Sequence, residues 1–306
     1  MNSYQEEAIL FGPEDKLLGV LTRPTGQPVG SVGCLMFNFG VMHRVGPRRI
    51  QVKLARRLAQ QGVACLRFDL SGLGDSRTPS AIGNFDEQAI VDLRVAIDQM
   101  QARFGVEQVA VVGLCSGARH GLQVALRDSR VAGLLTFDGY SFTSNAAKLR
   151  RRLRRFTRFP MAQTRRWLGV LFGRDHTAQG DLLESGERSP EVGPEGFRSA
   201  LEQLVARGVA ICLIHSGTFQ RRDRNRDQLH PLRGAPVLDK VRYEFMANVD
   251  HSITELSAQE AFIDVTCGWV AQLQAGKVAQ VAGAAASASP AVQPVQAMER
   301  SLATSC

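Results

Sequence analysis

The chain has 306 residues, 44% of them hydrophobic, and a formal net charge of +8, which is enough apolar material for one large core with an insertion rather than two independent domains. No apolar stretch is long enough to cross a bilayer, and the opening residues from Met1 to Glu7 lack the basic start and apolar centre of a signal peptide. Six cysteines without paired spacing then imply reduced thiols and a cytoplasmic location.

In chain order, Glu7 to Phe11 and Leu17 to Thr22, separated by Gly12-Pro13-Glu14-Asp15, read as an antiparallel hairpin. Short buried strands are predicted over Val32 to Phe37, Ala64 to Phe68, Gln108 to Leu114, Val131 to Phe137, Ala210 to His215 and Val241 to Met246. Amphipathic helices are predicted over Arg48 to Gln61, Phe85 to Phe104, Ser116 to Arg127, Gly196 to Arg207 and Glu255 to Gln274. This alternation implies an α/β fold with a mostly parallel eight-stranded sheet, helices on both faces, and catalytic loops at the carboxyl ends of the strands. Residues 1–140 and 196–275 would form that core.

Residues 141–195 break the rhythm and read as a basic helical cap inserted over the catalytic edge. Between Ser141 and Asp175, Lys148 and nine arginines face the single acid Asp175, so this segment accounts for the basic charge of the chain. Leu149, Leu153 and Phe156 recur at helical spacing and leave a broad cationic face. Residues 276–306, rich in alanine, are expected to be a disordered tail.

Gly113-Leu114-Cys115-Ser116-Gly117 follows the apolar run Val109 to Val112 and precedes a helix. Strand, tight turn and helix form the context of a nucleophile elbow, here with cysteine at its centre. The glycines allow a strained turn and close backbone approach, and a helix N-terminus favours thiolate. Cys115 is therefore the expected nucleophile. Cys34, Cys65 and Cys212 lie in apolar runs and read as small core residues. Ser116, one residue past the apex, matters more for its amide than for its hydroxyl.

Three further segments join the elbow: Asn38-Phe39-Gly40-Val41-Met42-His43-Arg44-Val45-Gly46-Pro47, the stretch Arg67 to Ser76 with its R-x-D-x-x-G-x-G-x-S pattern, and Asp250-His251 after the last strand. On these motifs residues 5–272 resemble the α/β-hydrolase superfamily, most closely the serine-aminopeptidase-like and exosortase A system-associated hydrolases. The resemblance implies that Cys115 attacks an acyl carbonyl and that His251 carries the proton. It places the oxyanion donors at the amide of Ser116 and at that of Val41 or Phe39. His43 and Arg44 are candidates for contacting a substrate carboxylate or phosphate, the alternative being solvated loop charges.

The acid is where the sequence departs from the family. After the seventh predicted strand, where the family carries it, the chain reads His215-Ser216-Gly217-Thr218-Phe219, with no carboxylate at the expected distance. Asp138, at the end of the sixth strand, is the first candidate and Asp223 the second. Asp250 reads as a structural neighbour of His251.

Thiolate chemistry favours esters, lactones and thioesters, so the expected activity is a cysteine-dependent acyl hydrolase without cofactor or metal. An acyltransferase or cyclase using the same residues is the alternative, and a binding protein on a hydrolase scaffold the third reading. The cationic segment suits an acyl group carried on coenzyme A or an acyl carrier protein, against a membrane-surface helix or a solvated face. Nucleic acid is not expected, since the patch has few interleaved aromatics.

Overall fold

The computed structural model describes residues 3–78, 84–142, 149, 192–218 and 227–276. Its strands are β1 (Tyr4–Phe11), β2 (Leu17–Pro24), β3 (Val32–Met36), β4 (Cys65–Phe68), β5 (Gln108–Leu114), β6 (Val131–Phe137), β7 (Ala210–Ser216) and β8 (Arg242–Met246). The long helices are α1 (Ile50–Gln60), α2 (Phe85–Phe104), α3 (Gly117–Arg127), α4 (Pro194–Ala206) and α5 (Leu256–Gln274). The strands form one sheet in the order β1-β2-β4-β3-β5-β6-β7-β8. Pairing is antiparallel only where β2 meets β1 and β4, and parallel from β4 to β8. The mostly parallel sheet expected from the alternation is thus what the chain forms.

Side-chain alternation divides the core between the two faces. Along β5, Val109 and Val111 join a cluster with Leu93 and Ile97 of α2, Leu122 of α3 and Phe197 of α4. Their neighbours Ala110, Val112 and Leu114 join Ile50 and Leu54 of α1 and Phe262 and Trp269 of α5 on the other face. A strand covered on both sides reads as a continuous apolar run, which is why the central strands were legible.

Several element boundaries move by one to three residues. β1 starts at Tyr4 rather than Glu7, because polar residues there are paired: Gln5 Oε1 accepts from Arg23, and Glu6 binds Arg56 at 2.5 Å and Arg67 at 2.6 Å. α1 starts at Ile50, since Arg48 and Arg49 hold left-handed φ of 50° and 62°. α4 starts at Pro194 rather than Gly196, proline being preorganised for a first helical turn.

The proposed cap and the alanine-rich tail fall almost entirely outside the described residues. Among the described residues no helix is long and apolar enough to cross a membrane.

Candidate active site

Cys115 sits between β5 and α3 with φ of 55°, a left-handed conformation that an L-residue adopts only when its surroundings enforce it. Its amide donates to Phe137 O at 2.8 Å. The glycines make the turn possible. A Cβ on Gly113 would lie 2.7 Å from Gly117 O, and one on Gly117 would lie 2.9 Å from Asn38 O. Of the five described cysteines, Cys34, Cys65, Cys212 and Cys267 are buried and Cys115 alone is partly exposed. Burial pushes the thiols of Cys212 and Cys267 up to about 12, so those sulfurs stay protonated and inert.

Asp138 follows β6 with φ of 50° and is buried. Its amide donates to Ile214 O at 2.9 Å, which fixes it beside the end of β7. His251, in the loop after β8, meets it there: Nδ1 lies 2.8 Å from Asp138 Oδ2. The remaining bonds to the carboxylate come from Ser216, whose amide reaches Oδ1 at 2.7 Å and whose hydroxyl reaches Oδ2 at 2.6 Å. Burial alone would raise the Asp138 carboxyl, but the bonds from His251 and Ser216 and the nearby His215 hold it below the usual range.

Burial alone would likewise lower His251. The hydrogen bond to Asp138, the hydrogen bond and charge of Cys115, and the charge of Asp138 outweigh it and push His251 up to about 10. The imidazole therefore faces Cys115 on one side and the carboxylate on the other. Phe39 and Phe137 flank its ring, with centroids 5.3 Å and 6.4 Å away. Asp250, as its reading required, turns away: it accepts from the Thr254 amide at 2.7 Å and the Thr254 hydroxyl at 2.8 Å. Asp223 and Phe219 lie outside the described residues.

The loop after β3 lies across the elbow. Phe39 O accepts from the Met42 amide at 3.0 Å, turning the chain through Gly40 and Val41. Gly40 has φ of 61°, and a Cβ there would lie 3.9 Å from Ser116 Oγ. Phe39, Val41 and Ser116, the residues whose amides are the candidate oxyanion donors, are thus neighbours. The Ser116 amide precedes the first turn of α3, where amide hydrogens have no intrahelical acceptor.

Arg44, a candidate for contacting a substrate anion, has internal partners. Its guanidinium, partly exposed, is engaged within the chain, binding Asp69 at 2.5 Å and Asp75 at 2.6 Å, and its amide donates to Asp69 at 2.6 Å. Asp69 is fully buried and also accepts from Asn38 Nδ2 at 3.0 Å, so the arginine neutralises an internal charge. Gly74 of the same motif is packed onto that carboxylate, where a Cβ would come within 2.3 Å of Oδ2. His43 is exposed, with Nδ1 3.4 Å from the Val45 amide.

Ser216 and Thr218 are not among the expected site residues, since neither carries a carboxylate. A Ser-Gly-Thr run in place of the missing acid was the available signal. Among the described residues no group of three or more His, Cys, Asp or Glu could hold a metal ion. A cavity of about 320 Å³ lined by Leu229, Arg233, Leu238 and Tyr243 is separate from Cys115, Asp138 and His251.

A family model described as the alpha/beta hydrolase fold matches residues 44–180. Among solved structures, a hypothetical protein of Pseudomonas aeruginosa is 16% identical, with 89% of this chain and 94% of that one covered and a TM-score of 0.54. An alpha-beta serine hydrolase homologue from Coxiella burnetii is 15% identical, covering 86% and 96% with a TM-score of 0.51. An esterase of Pyrococcus furiosus is 13% identical, covering 89% and 91% with a TM-score of 0.50. At these identities the likeness is one of fold. No curated protein matches the chain.

Proposed function

We propose that this chain, which has the α/β-hydrolase fold, is a cysteine-dependent acyl hydrolase acting on an ester or thioester through a covalent acyl-enzyme. One observation carries the reading: an imidazole bonded at Nδ1 to a buried carboxylate, 2.8 Å away, faces a cysteine in a left-handed elbow.

The chemistry follows from that arrangement. With Nδ1 committed to Asp138, Nε2 is left for Cys115, and a protonated His251 favours the thiolate. The sulfur adds to the acyl carbon while the carbonyl oxygen takes the negative charge beside the amides of Ser116 and the Phe39–Val41 turn. The tetrahedral adduct collapses, the His251 proton leaves on the departing alcohol or thiol, and an acyl thioester remains on Cys115. The acylated sulfur bears no charge, so two of the interactions that held the proton on His251 are gone. The imidazole is then free to take a proton from water, whose oxygen attacks the acyl carbon and releases the acid and the thiol.

An amine or hydroxyl acceptor in place of that water gives acyl transfer with the same residues. The alternative of a binding protein on a hydrolase scaffold draws on the missing acid after β7 and on the basic segment; the contact of Asp138 with His251 speaks against the first of these. The arginine-rich run between Ser141 and Asp175 supports a thioester donor on an anionic carrier, coenzyme A or a carrier protein, through electrostatic attraction.

The test is turnover of a p-nitrophenyl ester and of an acyl thioester by the wild type and by Cys115→Ala, with mass spectrometry of the quenched reaction. Turnover lost in the variant and an acyl mass on the Cys115 peptide are expected. Cys115-independent turnover, or no turnover and no acyl mass, would retire the proposal. Product analysis with added amine or alcohol separates hydrolysis from transfer.

A further inference from the structure

We propose that Ser216 and Thr218 are positioning residues of this site, holding acid and imidazole in register from a strand that supplies neither. The inference rests on the hydrolase reading, since positioning has meaning only if Asp138 and His251 act on Cys115.

The tripeptide Ser216-Gly217-Thr218 closes β7 and touches both partners. Ser216 gives Asp138 two bonds, from its amide at 2.7 Å and its hydroxyl at 2.6 Å. The same hydroxyl lies 3.3 Å from the Thr218 amide, so that amide orients the Ser216 Oγ–H toward the carboxylate. Thr218 Oγ1 in turn accepts from the His251 amide at 2.8 Å. The carboxylate is thus fixed through its side chain and the imidazole through its backbone by residues two positions apart. Gly217 permits the close approach: its amide donates to Val249 O at 2.9 Å, and a Cβ there would fall 1.9 Å from Ala247 O.

This clamp lies in the stretch after β7 where the family carries its acid and this chain has no carboxylate at the expected distance. An acid arriving from β6 needs its oxygens aimed across the end of β7 at His251, and a hydroxyl and an amide at residue 216 do that. Two hydrogen bonds to the carboxylate also keep it an acceptor for the Nδ1 proton. Among the described residues the other titratable groups that feel Asp138 are His215 from β7, whose Nε2 lies 2.7 Å from Tyr140 O and which burial keeps neutral, and Tyr243 from β8, whose phenol burial and the Asp227 and Asp138 charges push up. Among the described residues, the side-chain bonds to that carboxylate come from Ser216 and His251.

The test is the pH profile of Cys115 alkylation by iodoacetamide in the full chain, read on the Cys115 peptide by mass spectrometry. Ser216→Thr keeps a hydroxyl and Ser216→Val removes it at nearly equal volume. Ser216→Val should slow alkylation at neutral pH about tenfold, moving the profile about one unit to higher pH, while Ser216→Thr stays within about twofold of the wild type. Thr218→Val should show a loss of several-fold that Thr218→Ser does not. Wild-type profiles in both valine variants, or lowered thermal stability with an unchanged profile, would overturn the clamp. Should Ser216→Val not fold, the Thr218 pair decides by the same comparison. A wild type without Cys115-dependent ester turnover would instead overturn the hydrolase reading, while the alkylation comparison still reports on the clamp.

Discussion

Asp138 and His251 lie 113 positions apart in the chain, yet their side chains meet at 2.8 Å. One follows β6 and the other follows β8, and β7 between them provides Ser216 to hold the first and Thr218 to hold the second. Cys115, after β5, completes the set along one edge of the sheet.

Alkylation should distinguish this cysteine from the four buried ones. Iodoacetamide at neutral pH is expected to label Cys115 while leaving Cys34, Cys65, Cys212 and Cys267 untouched in the folded chain, because those four are buried. Peptide mapping before and after denaturation checks it, and native labelling of any of the four at a comparable rate would contradict the burial.

Asp138→Asn keeps the shape of the acid and removes its charge. Because the amide can donate to His251 where the carboxylate only accepts, the imidazole is held in the wrong tautomer. A loss of kcat of about 10²-fold or more is expected. Steady-state ester kinetics measure it, and a loss of less than about threefold would mean that another residue is the acid.

The pair should also shape stability against pH. The Asp138 carboxyl is held below its unfolded value, so its contribution is present above about pH 4 and fades as pH falls through the folded value. His251 is pushed up to about 10, so its contribution is complete below its unfolded value near 6.5 and is lost as pH rises through about 10. The stability excess of the wild type over Asp138→Asn is therefore expected to be largest between roughly pH 4 and 6.5 and to shrink toward pH 10. Urea denaturation across this range tests the sign, and an excess that grows with pH would refute it.

Glycine at the elbow is a steric requirement. Gly113→Ala should destabilise the chain by about 2 kcal/mol, since its Cβ would meet Gly117 O at 2.7 Å and Ala118 Cα at 2.8 Å. Gly268→Ala is the control: its site in α5 has no atom within 4 Å, so the better helix former should stabilise by about 1 kcal/mol. Melting curves of both variants decide, and equal effects would remove the steric argument.

Arg44→Ala should act on stability and leave discrimination between anionic and neutral substrates unchanged. Its removal leaves the buried Asp69 without its guanidinium, a loss of about 3 kcal/mol. The ratio of KM for a carboxylated ester to KM for its neutral analogue, measured below the melting range of the variant, is expected to stay at the wild-type value. A specific rise in that ratio would restore Arg44 to the substrate site.

Sequence patterning determined the strands and helices of this chain to within a few residues, because burial on both faces of a sheet and on one stripe of a helix leaves a periodic apolar record. It also marked Cys115, since a strained turn against a closely packed helix tolerates only glycine on either side, and His251, by its place after the last strand. Asp138 is already the first candidate for the acid in the sequence, but its contact with His251, and the part of Ser216 and Thr218 in holding them, came only with the tertiary structure. Their contacts depend on the relative registers of β6, β7 and β8, and no local pattern encodes how far one strand end reaches past its neighbour. The same holds for Arg44: 25 positions from Asp69 and placed in a loop, its charge looks solvated in one dimension and proves to be paired with a buried carboxylate in three.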